Sequence, residues 1–286
     1  MTFPPYTRAG VVLVCCALLA CSGGDTGGPR LGTPEWYWAA AQETFEVADY
    51  VKTQEHLEHV VNSDLDVKQQ AVVWRALVLA GLARGYMELG DAYAETVEKN
   101  PRMTAQFQIP IQEYRRVARR HAIELTESMS TLRKLIAESE QVSFDFAFPA
   151  GSPNVSPVLT QLKAGQSPPP NQLLDAEKET LKRGILLEAS GMVGAGEDVN
   201  RARTLFDTRP VSVASADFLW ALGDSTYSLS DLFEQKRLNE PQVRKVMLQT
   251  ALDCIGPALE AQDKERKEQA EKLKKEIEQQ QGKLKA

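Results

Sequence analysis

The chain has 286 residues and a formal net charge of −6. That acidic balance argues against generic nucleic-acid binding, which needs a basic face. A chain of this length can bury a good core, as one or two domains.

Residues 1–8 carry one positive charge, at Arg8, and no acid. Residues 9–20 form one uncharged apolar run that ends at Leu18, Leu19, Ala20 and Cys21, with Ser22 and Gly23 following. A basic start, an apolar stretch of about 7–15 residues and small residues at the cut make an export signal. The run is too short for a membrane helix, which needs about 20 residues. Leu18, then small Ala20, then Cys21 resemble the lipobox of bacterial lipoproteins. The resemblance implies cleavage before Cys21, a thioether-linked diacylglycerol on its sulfur and usually a third, palmitate-type acyl chain. Several chains anchor a protein stably, at about 0.8 kcal/mol per buried CH₂. Ser22 is not the Asp that holds some lipoproteins at the inner membrane. The expected location is therefore the outer membrane, with the body facing the periplasm.

Loss of Arg8 with the leader takes the net charge from −6 to −7. Cys15 and Cys16 leave with it, and Cys21 is lipidated, so Cys254 is the one thiol remaining and no internal disulfide can form. Its neighbours Leu252 and Ile255 predict a buried thiol. Residues 21–34 are rich in Gly, Ser, Thr and Pro and read as a flexible tether. No second membrane span is visible.

The body is expected to be all-α. Residues 35–63 read as two helices with a bend at Ala48, Asp49 and Tyr50. Residues 66–98 form a longer run, apolar on nearly every side around 71–83, which predicts a helix buried in a bundle. Gly81 and Gly85, four apart, would let a neighbouring helix approach closely. Asn100 and Pro101 stop the run. Residues 111–140 carry a stripe of Ala118, Ala122, Leu125, Met129, Leu132 and Ile136, spaced by four and three. A Pro-rich irregular loop over 142–171 follows, and alternating Phe144, Phe146 and Phe148 predict that its first part docks onto the body. Helical spacing returns over 172–193, 197–207, 214–236 and 240–259, with a glycine-marked turn at Gly191, Gly194 and Gly196. No stretch alternates long enough to predict a sheet. These segments suggest an N-terminal lobe over 35–141 and a C-terminal lobe over 172–259. The charged tail over 260–286 has acid-to-Lys pairs four apart and a thin seam of Leu273, Ile277 and Leu284, and reads as a solvated, projecting helix, with a partner-binding helix as the alternative.

Phe45, Ala48, Asp49, Tyr50 and Leu57 resemble the helix-turn-helix junction of tetratricopeptide-like repeats, and Tyr86, Gly90, Asp91 and Tyr93 echo it. No fixed period runs along the chain. The fold expected is an irregular helical bundle or a degenerate helical-hairpin repeat array; the resemblance implies a scaffold with a concave binding face.

Candidate chemistry is sparse. His56 and His59, with Glu55, sit on neighbouring turns where a metal could bind, but no further ligands are visible, and an ordinary helix face is expected. Gly223, Asp224 and Ser225 match the opening of Gly-Asp-Ser esterases, yet they lie in a helical stretch and no His follows His121 to act as base. A helix break or cap is expected there. Gly191, Gly194 and Gly196 lack the dinucleotide-binding order, and there is no haem-attachment signal. Arg115, Arg116, Arg119 and Arg120 form a basic patch that reads either as a solvated face paired with Glu113 and Glu124 or as a contact for an acidic partner or anionic headgroups. The expected protein is a lipid-anchored, non-enzymatic lipoprotein acting as a protein-interaction scaffold, with no metal or cofactor. The alternative is a ligand-binding accessory, resembling the helical-repeat lipoproteins of tripartite uptake systems, with a cavity between the lobes covered by the 142–171 loop.

Overall fold

Thr33 opens the first helix: its hydroxyl accepts the Trp36 N–H at 3.3 Å, and Pro34 stands at the first helical position, where no N–H is needed. In this computed structural model, residues 28–137, 139–207 and 210–284 are described. The expected leader and Cys21 lie outside them. Helix α1 (Pro34–Glu46) turns at Ala48, whose φ is +59°, and Asp49 caps α2 (Tyr50–Val61) by accepting the Lys52 N–H. The predicted hairpin is present.

Helix α3 (Lys68–Lys99) is the central element, buried around most of its circumference as its composition predicts. It packs against α2, α4 (Thr104–Ala137) and α6 (Pro170–Met192). The α4 stripe from Ala118 to Ile136 is fully buried. Helix α4 starts earlier than the expected 111, because Pro110 falls just beyond the first turn. Its missing N–H removes only the bond to the Gln106 carbonyl. Short α5 (Pro157–Lys163) and α7 (Val199–Phe206) flank α6, while α8 (Ser215–Ser230) pairs with α9 (Pro241–Leu259).

Glycines set two close helix crossings. A Cβ on Gly81 would lie 2.6 Å from Ile185 Cα, and one on Gly184 would lie 2.2 Å from the Gly81 carbonyl oxygen. Gly81 and Gly85 thus admit α6, as their spacing predicts. At the second crossing a Cβ on Gly223 would meet Ile255 Cγ2 at 2.7 Å.

The 142–171 segment is more ordered than expected. It contains α5 and most of strand β1 (Gln141–Phe144), which pairs antiparallel with β2 (Val211–Ala214) in register Val142 to Val213. Four-residue strands are too short to leave a period-two signal. Phe144 and Phe146 are buried, and Phe146 meets Trp74 and Phe45 edge-on at 4.6 and 4.9 Å, so this part does dock.

Two expectations are corrected. The tail does not project: α10 (Lys264–Lys283) lies against α9 and buries Ala270, Leu273 and Ile277. Apolar side chains four and three apart cover one side of the neighbouring helix, even in a strongly charged sequence. Gly90 and Asp91 mark no turn, because both sit inside α3. Elements of 13, 12, 32 and 34 residues do not repeat, so the fold is an irregular all-helical bundle, not a repeat array. One apolar cluster joins both halves of the chain, from Leu57, Leu77 and Leu125 to Ile185, Phe218 and Met247.

Candidate functional site

One cleft among the described residues holds about 780 Å³. Its floor is one face of α8. Trp220, Ala221, Asp224, Ser225, Ser228 and Leu229 recur at helical spacings of three and four, while Phe218 and Leu222 face the core. One wall is the end of α6, with Glu188 and Gly191, and the turn after it. That turn needs left-handed backbone at Gly194 (φ +75°) and Gly196 (φ +59°), which glycine adopts without strain. The other wall is the start of α10. Arg84 reaches in from α3, and Arg201 from α7 lies at the rim.

Internal pairs account for most of the charges. Arg84 donates to Glu188 at 3.1 Å, and Glu188 is only 5% exposed. Arg266 donates to Asp217 at 2.6 Å and to Gln269 at 2.8 Å, and its guanidinium lies 4.2 Å over the Trp220 ring. These contacts fix α10 as a wall of the cleft. Asp263 caps α10 through the Glu265 N–H at 3.0 Å. Asp224 has neither a hydrogen bond nor an ion pair among the described residues. Burial pushes its carboxyl above the usual range, and Glu188 adds to this; Arg84 opposes it. Ser225 Oγ and Trp220 Nε1 also line the cleft, buried and without a protein partner. Buried polar groups are normally paired, so two buried unmatched atoms beside a partly buried, unpaired carboxyl mark this cleft as a candidate site.

Gly223, Asp224 and Ser225 are neither an esterase elbow nor a helix break or cap. They lie inside α8, with Gly223 facing α9 and the other two facing the cleft. The visible signal was the polar stripe itself, and Glu188 set among Ile185, Leu186 and Leu187.

The four arginines of the basic patch are engaged within the chain. Arg115 lies 3.7 Å from Asp91, Arg116 pairs with Glu113 at 2.6 Å, Arg119 with Glu240 at 2.9 Å and Arg120 with Glu124 at 4.0 Å. His59 stacks on Tyr37 at 4.0 Å and His56 meets Trp36 edge-on at 5.6 Å, forming an aromatic patch. Among the described residues no group of three or more His, Cys, Asp or Glu side chains could hold a metal. The 142–171 segment does not cover the cleft, whose walls are α6, α7 and α10. Cys254 is fully buried, as predicted, and burial pushes its thiol up to about 12. No family model, curated protein or solved structure matches the chain.

Proposed function

We propose that the protein is a lipid-anchored binding protein of the cell envelope, which holds a small polar ligand in the cleft between α6, α8 and α10. The observation that carries this is the meeting, in one cleft of ligand size, of the buried and unmatched Ser225 Oγ and Trp220 Nε1 with the partly buried, unpaired Asp224 carboxyl. The lipobox resemblance at Cys21 supports the anchor, and an outer-membrane location facing the periplasm follows from Ser22. Among the described residues no helix is long and apolar enough to cross a membrane, so the lipid is the attachment this reading relies on.

The scaffold alternative has less support. Arg115 and Arg119, its best docking candidates, already hold Asp91 and Glu240. The most exposed large apolar side chains, Leu31, Val47, Ile109 and Val246, lie on separate elements. The reading assigns binding and not catalysis: His121, the last histidine, is on α4 and does not line the cleft to activate Ser225.

A thermal-shift screen of small polar metabolites tests the binding. A ligand at 100 times its Kd adds about 2.7 kcal/mol of stability. At about 2–4 °C per kcal/mol for a chain of this size, Tm should rise by about 5–10 °C. Gly191→Trp should abolish the shift, because a Cβ there meets nothing within 4 Å and the ring can fill the cleft. A ligand that shifts both chains equally would place its site elsewhere. For the anchor, Cys21→Ala should abolish labelling by a fatty-acid analogue, and persistent labelling would refute it.

A further inference from the structure

The ligand's charge can be read from what remains once the internal pairs are assigned. Arg84 is matched by Glu188 and Arg266 by Asp217. Among the groups lining the cleft, the unpaired inner charge is the Asp224 carboxylate. An ionised carboxylate withdrawn from water without a partner is unfavourable, and a positive group beside it removes that penalty. Ser225 Oγ, on the next residue, is 92% buried given its 8% exposure and lacks a protein partner. Glu188 presents a second carboxylate to the same space, with Oε1 held by Arg84. A primary ammonium has three N–H donors and no acceptor. Two carboxylates and a hydroxyl supply three acceptors. The wider lining leans the same way, since Glu197 and Glu265 add acid at the rim against Arg201.

We propose that the cleft binds a ligand bearing a primary ammonium group, received by Asp224 with Glu188 and Ser225. The proposal rests on the cleft being a ligand site. Both a diamine and a zwitterionic amino acid carry this group. They differ at the far end, where Arg201 favours a carboxylate.

Isothermal titration of the full chain with putrescine, lysine, succinate and glucose tests it. Putrescine or lysine should bind, and Asp224→Asn should weaken that binding at least tenfold. Lysine binding more tightly than putrescine assigns the zwitterion, and the reverse assigns the diamine. Ser225→Ala should weaken binding severalfold without changing the order of the ligands. The titratable groups facing Asp224 are Glu188 from α6, Arg84 from α3 and Glu276 from α10. Affinity should therefore fall as pH falls through the carboxylate range. Failure of both amines to bind, or amine binding unchanged in Asp224→Asn, overturns the proposal. Binding of succinate or glucose that Gly191→Trp blocks would keep the cleft as a ligand site while removing the ammonium, so the two readings fail separately.

Discussion

Replacing Gly184 by alanine should destabilise the protein, although alanine is the better helix former. The added Cβ would lie 2.2 Å from the Gly81 carbonyl oxygen and 3.1 Å from Gly85 N. Real Cβ atoms essentially never approach closer than 3.0 Å, so α6 must retreat from α3 by roughly 0.8 Å. The obstacle is backbone, so no side chain can rotate away. The retreat also loosens Ile185, which packs directly over Gly81. Overpacking of this kind costs about 1–3 kcal/mol, more when backbone must move. The intrinsic preference of helices for Ala over Gly returns about 1 kcal/mol. Because the obstacle is backbone, the upper end of that cost applies, and the expected net loss is up to about 2 kcal/mol, or about 4–8 °C in Tm. Gly282, in the last turn of α10, is the control: a Cβ there meets nothing within 4 Å, so Gly282→Ala should be neutral or stabilise by up to about 1 kcal/mol. Urea unfolding followed by far-UV circular dichroism measures both. A Gly184→Ala protein as stable as the parent, or one no worse than Gly282→Ala, would refute the close-crossing argument.

Other outcomes follow from the same contacts. Asp224 has a raised carboxyl in the fold, so its charged form is penalised there; stability falls as pH rises from below its unfolded value through the raised one. Asp224→Asn should therefore raise Tm at neutral pH, with the gain vanishing in acid below the ordinary carboxylate range; no pH dependence in the difference would sink this. Asp91 accepts two hydrogen bonds from Arg237, at 3.0 and 2.8 Å, and lies 3.7 Å from Arg115, whose side chain is mostly buried. Asp91→Ala should cost about 2–3 kcal/mol by stranding a partly buried guanidinium, read by thermal unfolding. In a chain with Cys15, Cys16 and Cys21 replaced by serine, Cys254 should resist a maleimide until denaturant is added, because its buried thiol is held up to about 12. Rapid native labelling would contradict that burial.

Local chemistry made the helices legible. The α4 stripe from Ala118 to Ile136 repeats every turn, and the apolar run over 71–83 marks α3 as buried, each within one continuous segment. The period of a helix is a short-range property, so a single segment carries it. Gly81 and Gly85 likewise announced a close neighbour, but Gly184, about a hundred residues on, had no mark of its own as the other side of that crossing. The two short strands were missed because four residues hold too little alternation, and pairing across 141–144 and 211–214 is a long-range contact.

The tail and the cleft were decided only in three dimensions. By sequence α10 is a charged helix with a thin seam, and whether that seam is solvated depends on whether α9 presents a matching face, which Leu248, Ala251 and Ile255 do. Asp224 looked like part of a nucleophile motif because its sequence neighbours are Gly223 and Ser225. Its spatial neighbours, Glu188 from α6 and Arg84 from α3, give it a different character. By itself the sequence determined the helical class, the placement of most helices and the buried thiol. Which charges are matched and which are left facing a cleft was settled by tertiary packing, because a charge is satisfied or stranded by groups far away in the chain.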